Sequence, residues 1–309
     1  MTTVVYAMPY APPPPPAPKW QGYRMTWTGA DGSTWNLDGS DGVLLTKEGL
    51  VGLHMPAYDR FTSTSPSRPG SRHRGSRAKE RPVEWNLLVW SDESSEAWRE
   101  IDRAFWRSFD PDAPGTWTVT DPRGRSLSLR CRFVGPEGAG YDSDPGKRGW
   151  ALYQVQLVAT DPFWVGAPIE ESWRQAAPVP FFDLAGSPPF NIMSGASTAG
   201  ATMTNPGDVE AYPVWTVADT MLSLSITVDG GEIVLPTVAQ GQTLTVDTDP
   251  AVALAILTDV DGARYDVSGL VDPWDPRPIP PGADVPLLLV ADGFGTITAR
   301  IVPRYRRGV

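Results

Sequence analysis

The sequence predicts a mainly β protein of two domains: a β domain that carries one helix, followed by an antiparallel β-sandwich. At 309 residues the chain has about two domains' worth of length, taking roughly 150 residues per domain. Its 30 glycines and 33 prolines make about 20% of the residues, against a usual level of roughly 12%, which indicates frequent turns. With 41% hydrophobic residues the chain can bury a sizeable core, which excludes wholesale disorder.

Composition divides the chain into four segments, at residues 1–19, 20–166, 167–194 and 195–309. The first is a proline-rich arm, in which Ala11–Pro18 favours a stiff, extended conformation. A spacer or strap is the commoner use of such a stretch, and a ligand for an SH3-like domain is the alternative. The second segment is the helix-bearing β domain, the third a proline-rich linker, and the fourth the sandwich.

Apolar residues at alternate positions predict the strands of the first domain. Its one helix is predicted over Ser91–Phe109, where Trp98, Ile101, Phe105 and Phe109 recur at helical spacing behind a capping serine. Such an aromatic stripe is typical of a helix packed on a sheet. The predicted strands cover residues 23–27, 35–37, 43–45, 50–58, 82–90, 115–120, 125–134 and 150–159.

The last segment alternates short apolar runs with turn residues, which is typical of an antiparallel sandwich. Its predicted strands cover residues 198–205, 212–218, 222–228, 231–235, 243–247, 251–257, 264–267, 285–291 and 295–302.

Charge is spread unevenly along the chain. The net charge is −10, whereas the stretch from Arg60 to Arg81 carries about +6 and has no hydrophobic period. We expect a long hairpin whose basic tip projects from the body and docks on an acidic partner surface. The alternative is a flexible, solvated tip. The candidate docking residues are Arg60, Arg68, Arg72, Arg74, Arg77, Lys79 and Arg81.

Residues for catalysis or metal binding are scarce. The single cysteine, Cys131, lies in an alternating strand and reads as a small buried residue, and pairing with His54 or His73 is the less favoured reading. Two histidines and one cysteine give no metal-ligand spacing. We therefore expect no enzyme and no cofactor.

Acidic residues form two clusters, Asp259 with Asp261 and Asp272 with Asp275. A carboxylate pair for glycoside hydrolysis or a Ca²⁺ site would need such groups. Both clusters lie beside glycine or proline, where aspartate commonly stabilises a turn. A structural role in turns is therefore favoured over catalysis or Ca²⁺ binding. An acidic chain overall is also a poor nucleic-acid binder.

Neither a membrane span nor a secretory signal is visible. No apolar run approaches the roughly 20 residues that a spanning helix needs, and the first residues lack a basic region. We expect a protein made in a cytoplasm and not inserted in a membrane.

Several motifs resemble the distal tail (Dit) proteins of siphophages, which are minor tail proteins in phages of actinobacteria. The most specific is Leu157–Trp164, a strand that ends in Asp-Pro-Phe-Trp. Asn205–Asp208 with Tyr212–Trp215 resembles the start of the family's C-terminal sandwich. The other matching stretches are Val51–Arg60, the basic loop, Arg81–Trp90 and the helix with Trp98 and Phe105.

This resemblance implies a tail-tube-like N-terminal β domain with one packed helix and a galectin-like C-terminal sandwich. It implies a structural protein of the virion, assembled in the host bacterial cytoplasm as a homohexameric ring at the distal end of the tail. The ring would connect the tail tube protein, and the tape measure protein, to the tail-tip or receptor-binding proteins. DNA would pass through its channel without sequence-specific binding.

The alternative function is that of a carbohydrate-binding module for receptor recognition. A sandwich with spare tryptophans can stack sugars, and Trp215 and Trp274 are the candidates. Neither has a recognisable polar set for sugar hydroxyls nearby in sequence.

Overall fold

The computed structural model describes residues 21–46, 50–137, 141, 143–174 and 200–309. The proline-rich arm and the later part of the predicted linker lie outside the described residues. Strands dominate the described part, as the sequence predicts. No helix in the described ranges is long and apolar enough to cross a membrane.

The N-terminal part forms a nearly closed antiparallel barrel with strand order β2-β1-β7-β8-β9-β6-β3. A backbone hydrogen bond of 2.9 Å from Leu45 to Leu37 brings β3 back towards β2 and narrows the opening. The strands of this part are β1 (Arg24–Thr28), β2 (Thr34–Asn36), β3 (Val43–Leu45), β4 (Tyr58–Ser65), β5 (Arg68–Ala78), β6 (Arg81–Trp90), β7 (Gly115–Thr120), β8 (Ser126–Glu137), β9 (Trp150–Ala159) and β10 (Trp164–Val165).

Four buried tryptophans run through the core of this barrel. Trp27 meets Trp85 edge to face at 5.3 Å between ring centroids, Trp85 meets Trp117 at 5.3 Å, and Trp117 meets Trp164 at 4.9 Å. Edge-to-face pairs of this kind stabilise a core beyond their burial alone. The alternation of apolar residues in β6 therefore marks a half-buried strand, as predicted, and the side chains of its odd-numbered residues are buried.

The helix α1 (Ser95–Arg107) packs its apolar side against this core. Phe105 is fully buried, and the Trp98 indole donates a hydrogen bond of 3.2 Å to the carbonyl of Val89. The N-cap is Ser94, not Ser91 as the sequence suggested: the Ser94 hydroxyl accepts a hydrogen bond of 3.0 Å from the Ala97 N–H, whereas the Ser91 N–H donates to the carbonyl of Gly149 before the helix begins. A second helix, α2 (Pro145–Arg148), is a single turn.

The C-terminal part is a sandwich of two antiparallel sheets, with strand orders β11-β20-β13-β16-β17-β18 and β12-β19-β14-β15. Its core lies between the sheets, where Trp215 and Leu244 of one sheet belong to the same buried cluster as Leu224 and Leu289 of the other. The strands are β11 (Ile169–Arg174), β12 (Thr202–Thr204), β13 (Val214–Ala218), β14 (Met221–Val228), β15 (Gly231–Leu235), β16 (Thr243–Asp247), β17 (Leu254–Thr258), β18 (Arg264–Asp266), β19 (Asp284–Gly293), β20 (Thr296–Ile301) and β21 (Arg304–Tyr305).

Two short strands at the junction depart from the division that the sequence predicts. β11 was expected to be linker, yet it pairs with β20 and belongs to the sandwich. Conversely, β21 near the end of the chain pairs with β10, and Tyr305 packs in the core of the barrel. Both strands are too short or too polar to stand out from a proline-rich sequence.

Candidate assembly interface

The basic stretch forms a two-stranded ribbon, β4–β5, in which the strands pair with each other and with no other strand of the described part. The predicted hairpin is therefore present, but its strands lie inside the basic stretch rather than on either side of it. A bridge between Val51 and Glu84 fixes the base of the ribbon to the barrel. Most ribbon side chains are exposed on both faces, so the ribbon projects into solvent.

Most of the predicted docking residues are exposed on this ribbon. Arg60, Arg72, Arg74 and Arg77 lie along its two strands with exposed side chains. Lys79 follows the ribbon, and its Nζ lies 3.0 Å from a carboxylate oxygen of Asp59.

Local pairing reduces the free charge of the ribbon only in part. The Arg74 Nε donates a hydrogen bond of 2.9 Å to the Ser63 hydroxyl, which holds that guanidinium along the ribbon. Exposed ion pairs such as Lys79 with Asp59 contribute little stability, so both groups can exchange partners on binding. The ribbon thus presents a mainly basic surface.

Arg81 does not belong to this surface, and its assignment to the docking set was wrong. Its side chain is 2% exposed. The guanidinium donates to the backbone carbonyls of Pro162 at 2.6 Å and Arg306 at 2.8 Å, and also to those of Gly52 and His54. The side chain of Arg68 lies outside what the structure describes.

Arg81 fixes the base of the ribbon to three distant parts of the chain. Burial lowers the pKa of its guanidinium, but an arginine keeps its proton in proteins, so the site holds a buried charge satisfied by carbonyl dipoles. The exit direction of the ribbon is therefore tied to the C-terminal segment near Arg306. No sequence signal marks this role, because the partners are scattered and are all backbone atoms.

Phe61 is a surface residue that the sequence analysis passed over. It lies in β4 opposite Gly75, and 55% of its side chain is exposed. It is the large apolar side chain of the ribbon that the paired strands leave in solvent, and it lies among arginines that could join it in a contact. A single aromatic in a polar stretch gives no periodic signal, which is why it was missed.

The residues considered for catalysis are not brought together. Cys131 is fully buried, as predicted, and burial raises the pKa of its thiol from 9.0 to about 12. His54 and His73 are exposed. The described residues contain no group of histidine, cysteine or acidic side chains arranged to hold a metal ion.

The acidic clusters serve turns and ion pairs. Asp259 accepts a backbone hydrogen bond from Val260, and Asp261 accepts one from Ala263. Asp275 forms an exposed ion pair of 3.1 Å with Arg277. The hydrogen bonds of Asp259 and Asp261 agree with the predicted turn role of that cluster.

The two tryptophans proposed for glycan stacking differ in burial. Trp215 is 1% exposed in the sandwich core, so it cannot stack on a sugar, and this candidate was wrong. Trp274 is partly buried, packs against the same core and forms a bridge with Ile233.

A polar network connects the helix to the barrel. The Tyr153 hydroxyl donates a hydrogen bond of 2.5 Å to Asp102 and lies 3.0 Å from the Tyr141 hydroxyl. Burial raises the pKa of the Asp102 carboxyl. Burial and these hydrogen bonds also raise the pKa of Tyr153. The network positions α1 against β9 and lies apart from the ribbon.

Comparisons with known proteins point to one architecture. No protein-family model and no curated protein sequence matches the chain. Among solved structures, it is similar to the Dit protein of phage SPP1, a paradigm of the hub adsorption apparatus in phages that infect Gram-positive bacteria. That likeness has a TM-score of 0.60 and 14% identity, and covers 92% of this chain and 99% of the other.

Two structures of the phage P2 baseplate in its activated conformation, with Ca and with Sr, are also similar. Each is 11% identical and covers 91% of this chain and 98% of the other, with TM-scores of 0.47 and 0.48. On the SPP1 comparison, with its coverage of nearly both whole chains, the chain has the fold of the phage SPP1 Dit protein.

Proposed function

We propose that this chain is a structural virion protein that forms the distal tail hub of a siphophage. The observation that carries the proposal is the fold shared with the SPP1 Dit hub protein over 92% of this chain. Both the barrel with its helix and the sandwich fall within that coverage, so the likeness is not confined to one common module.

In this role the barrel domain assembles as a homohexameric ring between the tail tube protein and the tail-tip or receptor-binding proteins. The tape measure protein and the DNA then use its central channel. Acidic side chains on the channel wall would repel DNA and let it slide. In this arrangement the sandwich binds the tail-tip proteins.

The ribbon supports a ring because closed rings need two different surfaces that meet between neighbours. A projecting basic element with an exposed aromatic side chain is suited to reach an adjacent subunit. We assign inter-subunit contact in the ring to Arg60, Arg72, Arg74 and Arg77.

Charge reversal tests this assignment. A triple variant with Arg72→Glu, Arg74→Glu and Arg77→Glu should lose ring formation, measured by sedimentation and by binding to isolated tail tubes. The matched control reverses Arg123, Arg174 and Arg264, which are exposed and lie off the ribbon. If the ribbon variant assembles as the unaltered chain does, the proposed contact is wrong. If the ribbon variant and the control variant lose ring formation equally, the loss is due to the change in net charge and not to the ribbon.

A further inference from the structure

The strand β19 presents an apolar stripe on the outer side of the sandwich. Its residues alternate between the core and solvent, and Pro286, Leu288 and Val290 lie on the solvent side. Leu288 is 52% exposed and Val290 is 49% exposed. Val234 of β15 lies on the same side, because Val234 and Val290 both pair with Ser225 of the strand between them. We call Pro286, Leu288, Val290 and Val234 the outer β19 face.

The outer β19 face is unusual for an antiparallel sheet in contact with water. Such a sheet normally carries polar residues on its solvent side. The other sheet of the sandwich has them, since Ser172, Thr298, Thr216 and Thr245 lie opposite one another in a row across four strands. The exposed apolar residues of β19 are therefore clustered on one sheet, and such a patch marks an interaction surface.

Acidic side chains frame this face. Asp284 and Asp292 continue the alternation of β19 at its two ends, so the solvent side of the strand reads Asp-Pro-Leu-Val-Asp. These two acids are eight positions apart, which is about 27 Å along an extended strand. Glu232 lies on the neighbouring strand β15, and all three acids are exposed.

The charge of these acids is not neutralised within the sheet. Its four strands, β12, β14, β15 and β19, contain no lysine, arginine or histidine. Arg277 approaches the sheet beside Gly231, but it forms an ion pair of 3.1 Å with Asp275. Within the described ranges, none of the three framing acids takes part in an ion pair. A complementary partner therefore combines apolar side chains with lysine or arginine.

A second copy of this chain does not fit the face well. Two outer β19 faces would bring acids against acids, which repel each other. The basic ribbon of another copy offers arginines, but its strands carry the exposed Phe61 mainly among serine, threonine, glycine and arginine. One exposed aromatic side chain covers little of a stripe in which three apolar residues lie in line.

We propose that the outer β19 face binds a partner protein whose surface presents apolar side chains flanked by lysine or arginine. Leu288 and Val290 form the apolar centre of the contact, and Asp284 and Asp292 pair with the flanking bases. The inference rests on the proposed hub function for the identity of the partner, a tail-tip protein. It adds the surface of the sandwich that is used and the chemistry that the partner needs.

Binding of the tail-tip proteins released from purified phage tails tests the apolar centre. Leu288→Glu should weaken their binding to the full chain by at least about tenfold, because it places a charge in the middle of the contact. The matched control is Leu254→Glu, at an exposed leucine of β17 in the other sheet. This control should bind as the unaltered chain does.

Charge reversal tests the framing acids. Asp284→Lys combined with Asp292→Lys should weaken binding, and binding of the unaltered chain should weaken as salt is raised. The control combines Glu171→Lys with Glu210→Lys, which changes the net charge equally at exposed acids outside the four-stranded sheet. Equal losses in the two double variants would contradict the proposed chemistry of the partner.

The outcomes separate this contact from the hub function. If Leu288→Glu binds the tip proteins as tightly as the unaltered chain, the surface is wrong and the hub function stands. If Leu288→Glu instead changes the mass of the chain measured alone, the occupant is a second copy and the proposal is wrong. If no ring forms on tail tubes but Leu288→Glu abolishes tip binding, the ring function fails and the contact holds. If the unaltered chain forms rings that bind no tip protein, the contact is wrong.

Discussion

The Arg81 guanidinium donates a hydrogen bond of 2.8 Å to the carbonyl oxygen of Arg306, which lies 225 positions further along the chain. This bond joins the base of the basic ribbon to the C-terminal segment, where the neighbouring Tyr305 packs into the barrel core. The surface that we assign to assembly is thus held by a contact between the N-terminal barrel and the C-terminal segment.

Replacing Arg81 should destabilise the protein strongly. Arg81→Met leaves carbonyls of Pro162, His54 and Arg306 without their donor, and each buried unsatisfied group costs roughly 1–3 kcal/mol. We expect the free energy of unfolding in urea to fall by about 3 kcal/mol or more. Arg72→Met, on the exposed ribbon, should change it by less than about 0.5 kcal/mol. Equal midpoints for the two variants would contradict this assignment.

Two strand glycines should respond oppositely to alanine. A Cβ at Gly115 would lie 2.2 Å from the Trp27 ring, whereas one at Gly75 would meet nothing within 4 Å. Gly115→Ala should therefore lower stability by about 1–3 kcal/mol through overpacking. Gly75→Ala should be neutral or slightly stabilising, because it restricts the unfolded chain. Thermal unfolding of both variants checks the pair, and a tolerated alanine at 115 would show that the tryptophan core is loosely packed.

The Cys131 thiol should be inert in the folded protein. Its pKa is raised to about 12 by burial, so the reactive thiolate is scarce and inaccessible at pH 8. We expect no reaction with a thiol reagent in buffer and one equivalent in denaturant. Rapid labelling of the native protein would contradict the burial.

The same shift predicts a loss of stability at high pH. Above the ordinary pKa of 9.0 the unfolded chain releases the thiol proton while the folded chain retains it, so unfolding becomes more favourable as pH rises from about 9 to about 12. The difference in unfolding free energy between the unaltered protein and Cys131→Ala should shift against the unaltered protein by at most about 1.4 kcal/mol per pH unit. A difference independent of pH would refute the shift.

The ionised carboxylate of Asp102 should destabilise the folded protein at neutral pH. Burial raises its pKa, which means that the folded state disfavours the ionised form present at pH 7. Asp102→Asn should therefore unfold at higher denaturant concentration than the unaltered protein at pH 7. That advantage should shrink as pH falls through the raised pKa, because the carboxyl then becomes neutral. Destabilisation by asparagine at pH 7 would mean that the Tyr153 hydrogen bond outweighs the burial.

The sequence was informative where one side of an element faces a core. The alternation of Val83, Trp85, Leu87 and Val89 predicted a half-buried strand, and all four side chains are fully buried. The helical spacing of Trp98 and Phe105 likewise predicted α1, although its cap was placed three residues early. An element that buries one face needs apolar residues at regular spacing on that face, and this spacing is visible in the sequence.

The remaining features leave no such period. The ribbon strands are exposed on both faces, so nothing in β4 or β5 distinguishes them from a loop. Arg81 reads as one more basic residue of the stretch, and its burial depends on carbonyls that only the folded chain brings together.

The most direct test of the hub function is the solution mass of the purified chain by light scattering, with negative-stain images of the same fraction. The measurement is made on the chain alone and after addition of isolated tail tubes. The proposal predicts a closed ring with a central channel and a mass several times the 33.5 kDa of one chain. A monomer under both conditions, with no particle on the tube ends, would contradict it.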